Sequence, residues 1–340
     1  MSPNFHRIGC NSTRRISLTA ILIMAALTVW AHSMAQAGQD KFATLAMSLT
    51  PLSAPVIIAA EKGYFAKHGV TMTINGFVGG HRSMKAMLGG QAHMATSSEA
   101  VVMFQSFKRN DFTVVCTFVT SDNDVKIITR KDTGIREVRD LTGRRVGTVT
   151  GASAQFFLDE TLLLAGIDGR QVGVVHVNPE DSSSMLAKGA IDAMVVWEPL
   201  IYRIKQKLAG NGVIVPHDRV YTETFNLAVT KSFADKHEDV LESIVRALIE
   251  ATKFIKVNQD EAQRIVARRI NNDIELVKSV WTDFDFDISL HQWLLTTLET
   301  EARWAIDRDL VTATTIPNYL EYLHLRTLLR IDPGRVTVFH

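Results

Sequence analysis

Several residues of this sequence combine a polar or aromatic side chain with a position at the predicted end of a strand. Ser98 and Ser153 stand where helices are predicted to begin, and free backbone N–H groups at a helix start favour small polar or anionic ligands. Trp197 follows a predicted buried strand and offers an aromatic wall. Glu198 offers a carboxylate, which needs a cationic or donating partner if it is buried. His81 suits an anion instead, so the pattern predicts a small polar ligand without fixing its charge.

We expect eight side chains to face one common cleft, because all of them lie at predicted strand ends or beside a predicted crossover. The set is Ser53, His81, Ser98, Glu99, Ser153, Trp197, Glu198 and Asn226. Plainer alternatives stay open for most of them. The serines are ordinary residues for a helix N-cap, the tryptophan is often half-buried packing, and the glutamate before Pro199 is suited to capping a helix.

Short motifs of known catalytic and metal sites are absent from the sequence. It contains no Gly-rich phosphate loop, no His-Glu-x-x-His, no paired-cysteine metal site and no Gly-x-Ser-x-Gly elbow. We therefore assign no cofactor, no metal and no catalytic residue, although many catalytic sites have no short local signature. If the protein were an enzyme, His81 and Glu198 would be the candidates for a base or nucleophile.

The first residues predict export. Three arginines precede an uncharged apolar run at residues 16–31, and a small-x-small pattern follows at residues 35–37, which is the layout of a secretory signal peptide. An uncleaved anchor is the alternative, but the run is shorter than the about 20 residues that span a bilayer. We expect residues 1–37 to be removed and the mature protein to be periplasmic.

The charge balance gives no argument for a nucleic-acid or membrane partner. Removal of residues 1–37 takes away three of the 37 basic residues and none of the 36 acidic ones, so that 34 and 36 remain. A nearly neutral chain lacks the basic excess typical of nucleic-acid binding. Cys116 would then be the one cysteine left, which excludes an internal disulfide.

Hydrophobic alternation and glycine stops predict two α/β halves. Residues 42–94 have the pattern of a β-α-β-α-β unit that ends in a strand through Met94, and residues 125–215 are predicted to repeat this plan. After Phe225 the pattern becomes helical. Two alternating halves of this kind predict an open α/β sheet in each.

Two patterns lie in the helical C-terminal part. A capping box at Ser289 predicts a helix that runs through about Asp307. The alternating Asp and Phe residues at 283–287 predict an exposed edge, and a solvated face is the expected reading of those carboxylates.

Segments spread over most of the chain resemble the solute-binding proteins of nitrate/sulfonate/taurine-type ABC importers. The segments are PVIIAAEKGYFAKHGV at 55–70, DLTGRRVG at 140–147, GAIDAMVVWEP at 189–199, and residues 316–319 with 329–336. The resemblance implies the type II periplasmic-binding-protein fold, which is an α/β fold with two lobes, a central cleft and two hinge crossovers. One departure is His93, which stands where the family commonly has an acidic residue and which we interpret as structural.

The resemblance also implies boundaries, partners and a function. Lobe 1 is expected at 38–122, lobe 2 at 123–221 and a return to lobe 1 with C-terminal helices at 222–340, with crossovers near 121–124 and 220–225. The implied function is to bind a small polar organic solute (sulfonate, taurine-like or N-heterocyclic) and deliver it, as a monomer, to an ABC permease and ATPase complex. The alternatives are a pyrimidine- or similar metabolite-processing enzyme on this fold, and a sensory binding protein that presents its closed form to a membrane receptor.

Overall fold

The computed structural model describes Met1 and residues 41–219 and 221–339. Apart from Met1, the expected signal peptide lies outside the described residues, as does Val220 of the second expected crossover. Phe42–His340 form one compact unit. Of the helices in the described ranges, none has the length and apolar character needed to cross a membrane.

The strands fall into two sheets. In chain order they are β1 (Lys41–Ser48), β2 (Val70–Phe77), β3 (Met94–Ser98), β4 (Phe112–Ser121), β5 (Val125–Arg130), β6 (Arg145–Thr148), β7 (Gly173–His176), β8 (Ala193–Trp197), β9 (Gly212–Ile214), β10 (Glu223–Thr230) and β11 (Phe284–Asp285). One sheet has the order β11-β4-β10-β3-β1-β2, and the other has the order β7-β6-β8-β5-β9. The two sheets form the cores of two lobes, so the predicted two-lobed α/β fold is confirmed.

Helices follow most strands and cover the sheets. They are α1 (Ala54–Glu61), α2 (Tyr64–Lys67), α3 (Gly80–Leu88), α4 (Glu99–Ser106), α5 (Ser153–Leu164), α6 (Ser182–Ala187), α7 (Leu200–Lys207), α8 (Lys231–Lys236), α9 (Glu238–Val257), α10 (Gln259–Arg269), α11 (Ile274–Trp281), α12 (Gln292–Asp307) and α13 (Leu325–Ile331). The apolar stripe predicted after Phe225 lies on α9, where Leu241, Ile244, Val245 and Leu248 are buried.

Both sheets share one strand order around their centre. In each, a parallel pair (β1 with β3, β6 with β8) is followed by an antiparallel strand that arrives from the other lobe (β10 and β5). The prediction that the repeat begins at residue 125 is therefore wrong in register, because β5 is the crossover strand and β6 is the counterpart of β1. Alternation of side chains cannot reveal this difference, since parallel and antiparallel strands have the same period of two.

His93 and Asp192 occupy matching places in the two lobes, just before β3 and β8. The His93 Nδ1 atom accepts a hydrogen bond from the Thr44 backbone N–H at 3.1 Å, and an Asp192 carboxylate oxygen accepts one from the Arg145 backbone N–H at 2.9 Å. Burial lowers the pKa of His93, which favours the neutral imidazole that can accept this bond. A neutral imidazole thus makes in lobe 1 the backbone contact that a carboxylate makes in lobe 2.

Two sequence predictions placed an element boundary wrongly. Met94 begins β3 instead of ending a strand, so Ser98 lies at the end of a buried strand. The capping box at Ser289 does not form: α12 begins at Gln292, and the Ser289 backbone exchanges two hydrogen bonds with Thr117 of β4. The competing strand pairing uses the backbone groups that a cap would need.

The chain passes between the lobes twice. The first passage is the short segment 122–124 between β4 and β5, and the second is 215–222 between β9 and β10. Both passages lie side by side, because Glu223 at the start of β10 pairs with Ser121 at the end of β4. Residues at these two passages are therefore at the base of the space between the lobes.

Candidate functional site

A small, partly open cavity lies between the lobes, against both chain passages. Its walls come from Ser48, Thr50, Leu52, Gly80, His81, Ser98, Val101, Asp124, Ala152, Ser153, Trp197, Glu223 and Phe225. Its volume is about 20 Å³. That room suits one water or so, which means that the lobes are tightly closed in this structure.

The aromatic wall of the cavity joins the two lobes. Trp197 ends β8 in lobe 2 and is 8% exposed, and His81 stands in the first turn of α3 in lobe 1. Their rings meet edge to face with centroids 6.2 Å apart. Gly79 allows this contact, because it has φ +87° and a Cβ there would come within 2.7 Å of the His81 ring and 3.1 Å of Trp197.

Burial, together with the nearby Arg82, lowers the pKa of His81 to about 4. The imidazole is therefore neutral at neutral pH. Its buried Nδ1 atom has no hydrogen-bond partner among the described residues. The histidine supplies a polar but uncharged group to the cavity.

Two carboxyl groups at the base of the cavity lack partners. Asp124 is 2% exposed and neither of its carboxyl oxygens has a hydrogen-bond partner in the described part of the chain; the same holds for Oε2 of Glu223, which is 4% exposed. Burial raises the pKa of Asp124 to about 8, against the opposing effect of Lys126. Burial also raises the pKa of Glu223 well above its usual range; Asp124 adds to this rise, and a hydrogen bond with Ser153 opposes it. Buried carboxyl oxygens without partners are costly to the fold, so the two oxygens of Asp124 and Oε2 of Glu223 point to a function.

Glu198 is not the unpaired carboxylate that the sequence suggested. Its Oε2 atom accepts a hydrogen bond from the Tyr202 backbone N–H at 3.1 Å in the first turn of α7, and its Oε1 atom lies 3.5 Å from Lys126 Nζ. Burial raises its pKa, while Lys126 lowers it. The side chain therefore serves the helix start and an internal ion pair, which was the plainer reading.

Four of the eight predicted site residues line the cavity: His81, Ser98, Ser153 and Trp197. The other four, Ser53, Glu99, Glu198 and Asn226, do not line it, because internal partners engage their side chains. Neither serine on the cavity wall caps a helix with its side chain: Ser98 makes no such bond, and Ser153 is already inside α5.

Ser53, Glu99 and Asn226 hold the frame of lobe 1. The Ser53 hydroxyl donates to the Ser48 carbonyl at 2.7 Å. The Asn226 side chain accepts from the Thr117 hydroxyl at 2.7 Å within the sheet. Glu99 accepts from the Tyr221 hydroxyl and from the Thr224 N–H and hydroxyl at 2.6 and 2.7 Å, which fixes the second passage to α4.

Sequence reasoning missed Asp124 and Glu223. Both were inside the segments assigned to the crossovers, yet no local pattern distinguishes them from the many other acidic residues of the chain. A usable signal was available: ligands in open α/β folds lie where strands of different halves meet. Acidic residues on the two crossovers were therefore better candidates than those on helix starts.

A bidentate ion pair closes the mouth of the cleft. Arg82 of lobe 1 donates to both carboxylate oxygens of Glu180 in lobe 2, at 2.8 Å for the Nη2–Oε2 contact. The Thr50 hydroxyl of lobe 1 also donates to the Glu198 carbonyl at 3.2 Å. These contacts join the rims of the two lobes in the closed form.

Arg82→Ala is expected to shift the ligand-free protein toward an open form. The pair is half-exposed, so its loss should cost the closed form less than about 1 kcal/mol, a change in population of up to about fivefold. Small-angle scattering at low salt should then show a larger radius of gyration. The matched control is Arg170→Ala, which breaks a surface pair with Asp168 inside lobe 2. Equal radii for the two variants would contradict a latch at the cleft mouth.

The two lobes, the paired passages and the closed cavity define a two-lobed binding-protein architecture. The NMT1/THI5-like family model matches residues 50–262, which is well over half of the chain, so the chain belongs to that family. A protein of Bacillus subtilis (strain 168) named as an aliphatic sulfonates-binding protein is 23% identical over 232 residues, 66% of this chain and 69% of the relative. The predicted resemblance to sulfonate-type solute-binding proteins is thereby confirmed.

Solved structures show the same fold. The alkanesulfonate-binding protein SsuA from Xanthomonas axonopodis pv. citri, bound to MOPS, matches with a TM-score of 0.75 at 14% identity over 85% of this chain and 99% of that one. The desulfurization enzyme DSZB matches with a TM-score of 0.65 at 14% identity over 86% of this chain and 100% of that one. A fold shared by binding proteins and an enzyme does not decide function, so the site must.

Proposed function

We propose that this protein binds a small polar organic solute between its lobes and delivers it to an ABC permease with its ATPase. The observation that carries the proposal is the buried cavity between the lobes, where polar atoms of both passages have no internal partner. A ligand that forms hydrogen bonds with these polar atoms stabilises the closed form. A partner protein can then distinguish the closed form from the open one. The names of relatives in the same family agree with this role.

The proposal includes export. Cleavage after residue 37 would place the mature protein in the periplasm, where a solute-binding protein of an importer acts. The signal-peptide layout of the first residues supports this location, and the mature N-terminus of the secreted protein identifies the cleavage site.

The enzyme alternative has weak support in the site. Its two candidate bases from sequence analysis were His81 and Glu198. His81 has a pKa of about 4 and is a poor base at neutral pH, and Glu198 is engaged by Tyr202 and Lys126. A sensory protein would use the same closed form with a membrane receptor in place of the permease; stimulation of the ATPase in proteoliposomes separates the two.

Trp197→Ala is expected to weaken ligand binding by about 1–3 kcal/mol, because the ligand loses its aromatic wall. A panel of amines, N-heterocycles and amino-sulfonates should first identify compounds that raise the melting temperature, since a ligand of the native state stabilises it. The affinity of the best compound is then measured by calorimetry for the wild type, Trp197→Ala and Trp197→Phe.

Trp197→Phe is the control, since it keeps an aromatic face and should retain most of the affinity. Circular dichroism shows whether each variant is folded. Wild-type affinity in a folded Trp197→Ala protein would remove Trp197 from the site. If no compound in a chemically varied panel raises the melting temperature, that result would count against the proposed function itself.

A further inference from the structure

We infer that the ligand is a compact organic cation with at least two N–H donors, such as an amine, an amidine or an aminated N-heterocycle, held by Asp124 and Glu223. This inference rests on the proposed function and narrows its ligand class. It departs from the sulfonates named for the relatives, because it follows from the side chains that line this particular cavity.

The first argument is hydrogen-bond satisfaction. Both oxygens of Asp124 and the Oε2 atom of Glu223 are buried in the cavity wall without partners among the described residues. Without ligand, burial raises the pKa of both acids and favours their protonated forms. A cation with two or more N–H groups stabilises the ionised forms, lowers these pKa values again and donates to the oxygens that have no partner.

The second argument is charge. None of the described residues that line the cavity is a lysine or an arginine. Lys126 acts on Asp124 from outside the wall, but it lies 3.5 Å from Glu198 and donates to the Asn123 carbonyl. The guanidinium of Arg82 is paired with Glu180 at the cleft mouth. An anion in the cavity would therefore meet no lysine or arginine on the described wall to balance its charge, which is unfavourable in a buried site.

The third argument is shape. Trp197 and Phe225 face the cavity together with the neutral ring of His81. Aromatic faces attract cations, most strongly when water is excluded. A flat cation can contact the aromatic walls on its faces and the two acids at its edge. The Ser98 hydroxyl can accept or donate a hydrogen bond as needed.

The test compares matched compounds on the full-length mature protein. Benzamidine, 4-aminopyridine and ethylenediamine are the cationic probes; benzamide is the uncharged match of benzamidine, and benzenesulfonate, taurine and nitrate are the anionic or zwitterionic probes. We expect at least one cation to raise the melting temperature and to bind at least tenfold more tightly than its uncharged or anionic match.

Variants then assign the recognition to the two acids. Asp124→Asn and Glu223→Gln should each weaken the binding of the best cationic probe at least tenfold, because each removes a charge-assisted contact. Asp285→Asn, an exposed acid on the edge strand β11, should leave the affinity unchanged. Melting curves without ligand confirm that every variant is folded.

The outcomes separate the inference from the proposed function. Tight binding of benzenesulfonate, taurine or nitrate that Asp124→Asn does not affect would overturn the inference that the ligand is a cation. The proposal of a solute-binding protein would still stand. Binding of a cation with wild-type affinity in both acid variants also overturns the inference. If no compound of either sign binds, both the inference and the proposed function fail.

Discussion

At pH 8 the ligand-free Asp124→Asn protein is expected to be about 2–4 kcal/mol more stable than the wild type. The carboxyl of Asp124 titrates near its usual value of 3.8 when unfolded but at about 8 when folded. The folded state therefore binds more protons between these values, so the free energy of unfolding falls as the pH rises from about 4 to 8. Asparagine does not titrate, so Asp124→Asn lacks the part of this fall in unfolding free energy that Asp124 causes.

The charged neighbours of Asp124 set the size of the effect. Lys126 lowers its pKa, Glu198 and Asp283 raise it, and Asp124 in turn raises the pKa of Glu223. Urea unfolding at pH 5 and pH 8 measures the difference in unfolding free energy between Asp124→Asn and the wild type. This difference should be clearly smaller at pH 5, where the folded wild type keeps the proton on Asp124. Asp285→Asn serves as the control with the wild-type pH dependence. Identical pH slopes for Asp124→Asn and the wild type would show that Asp124 titrates normally.

Glu99→Ala is expected to destabilise the folded protein by about 3–5 kcal/mol. The carboxylate is fully buried and accepts three hydrogen bonds from Tyr221 and Thr224, and a buried donor left without a partner costs about 1–3 kcal/mol. Part of the loss is offset at Glu301, whose pKa is raised by its burial and by Glu99. Urea unfolding at neutral pH measures the change.

Glu99→Gln is the matched control, because the amide keeps the shape of the side chain and one acceptor oxygen. We expect it to retain well over half of the stability that alanine loses. Equal loss in both variants would mean that the charge, and not the hydrogen bonds to the second passage, holds this part of lobe 1.

The general plan of the protein was readable from its sequence because it depends on local patterns. Alternating side chains and glycine stops predicted two α/β halves, and the motif around Trp197 placed the tryptophan at the end of β8. The error in the register of the repeat has a physical reason. Residues 125–130 have the pattern of any buried strand, and only their pairing with β8 and β9 shows that they enter from the other lobe.

The site was less readable because it depends on which groups remain unpaired after folding. Glu198 and Asp124 look equally polar in the sequence, yet Glu198 pairs with Lys126 and accepts a hydrogen bond from a helix N–H, while the Asp124 oxygens have no hydrogen-bond partner among the described residues. Partners that are distant in the chain decide this difference. Lys126 is 72 positions from Glu198, and no local pattern predicts their contact.

The position of Asp124 on the first passage, and of Glu223 at the first residue after the second passage, has a consequence for how such a protein changes over evolution. If these two acids recognise the ligand as we propose, and if the lobes separate at the two passages, recognition and motion share the same short segments. A substitution that adapts the pocket to a new solute would then also alter the rate of opening. New specificities at these positions would then be inherited together with new release rates, and the transport partner would have to tolerate both at once.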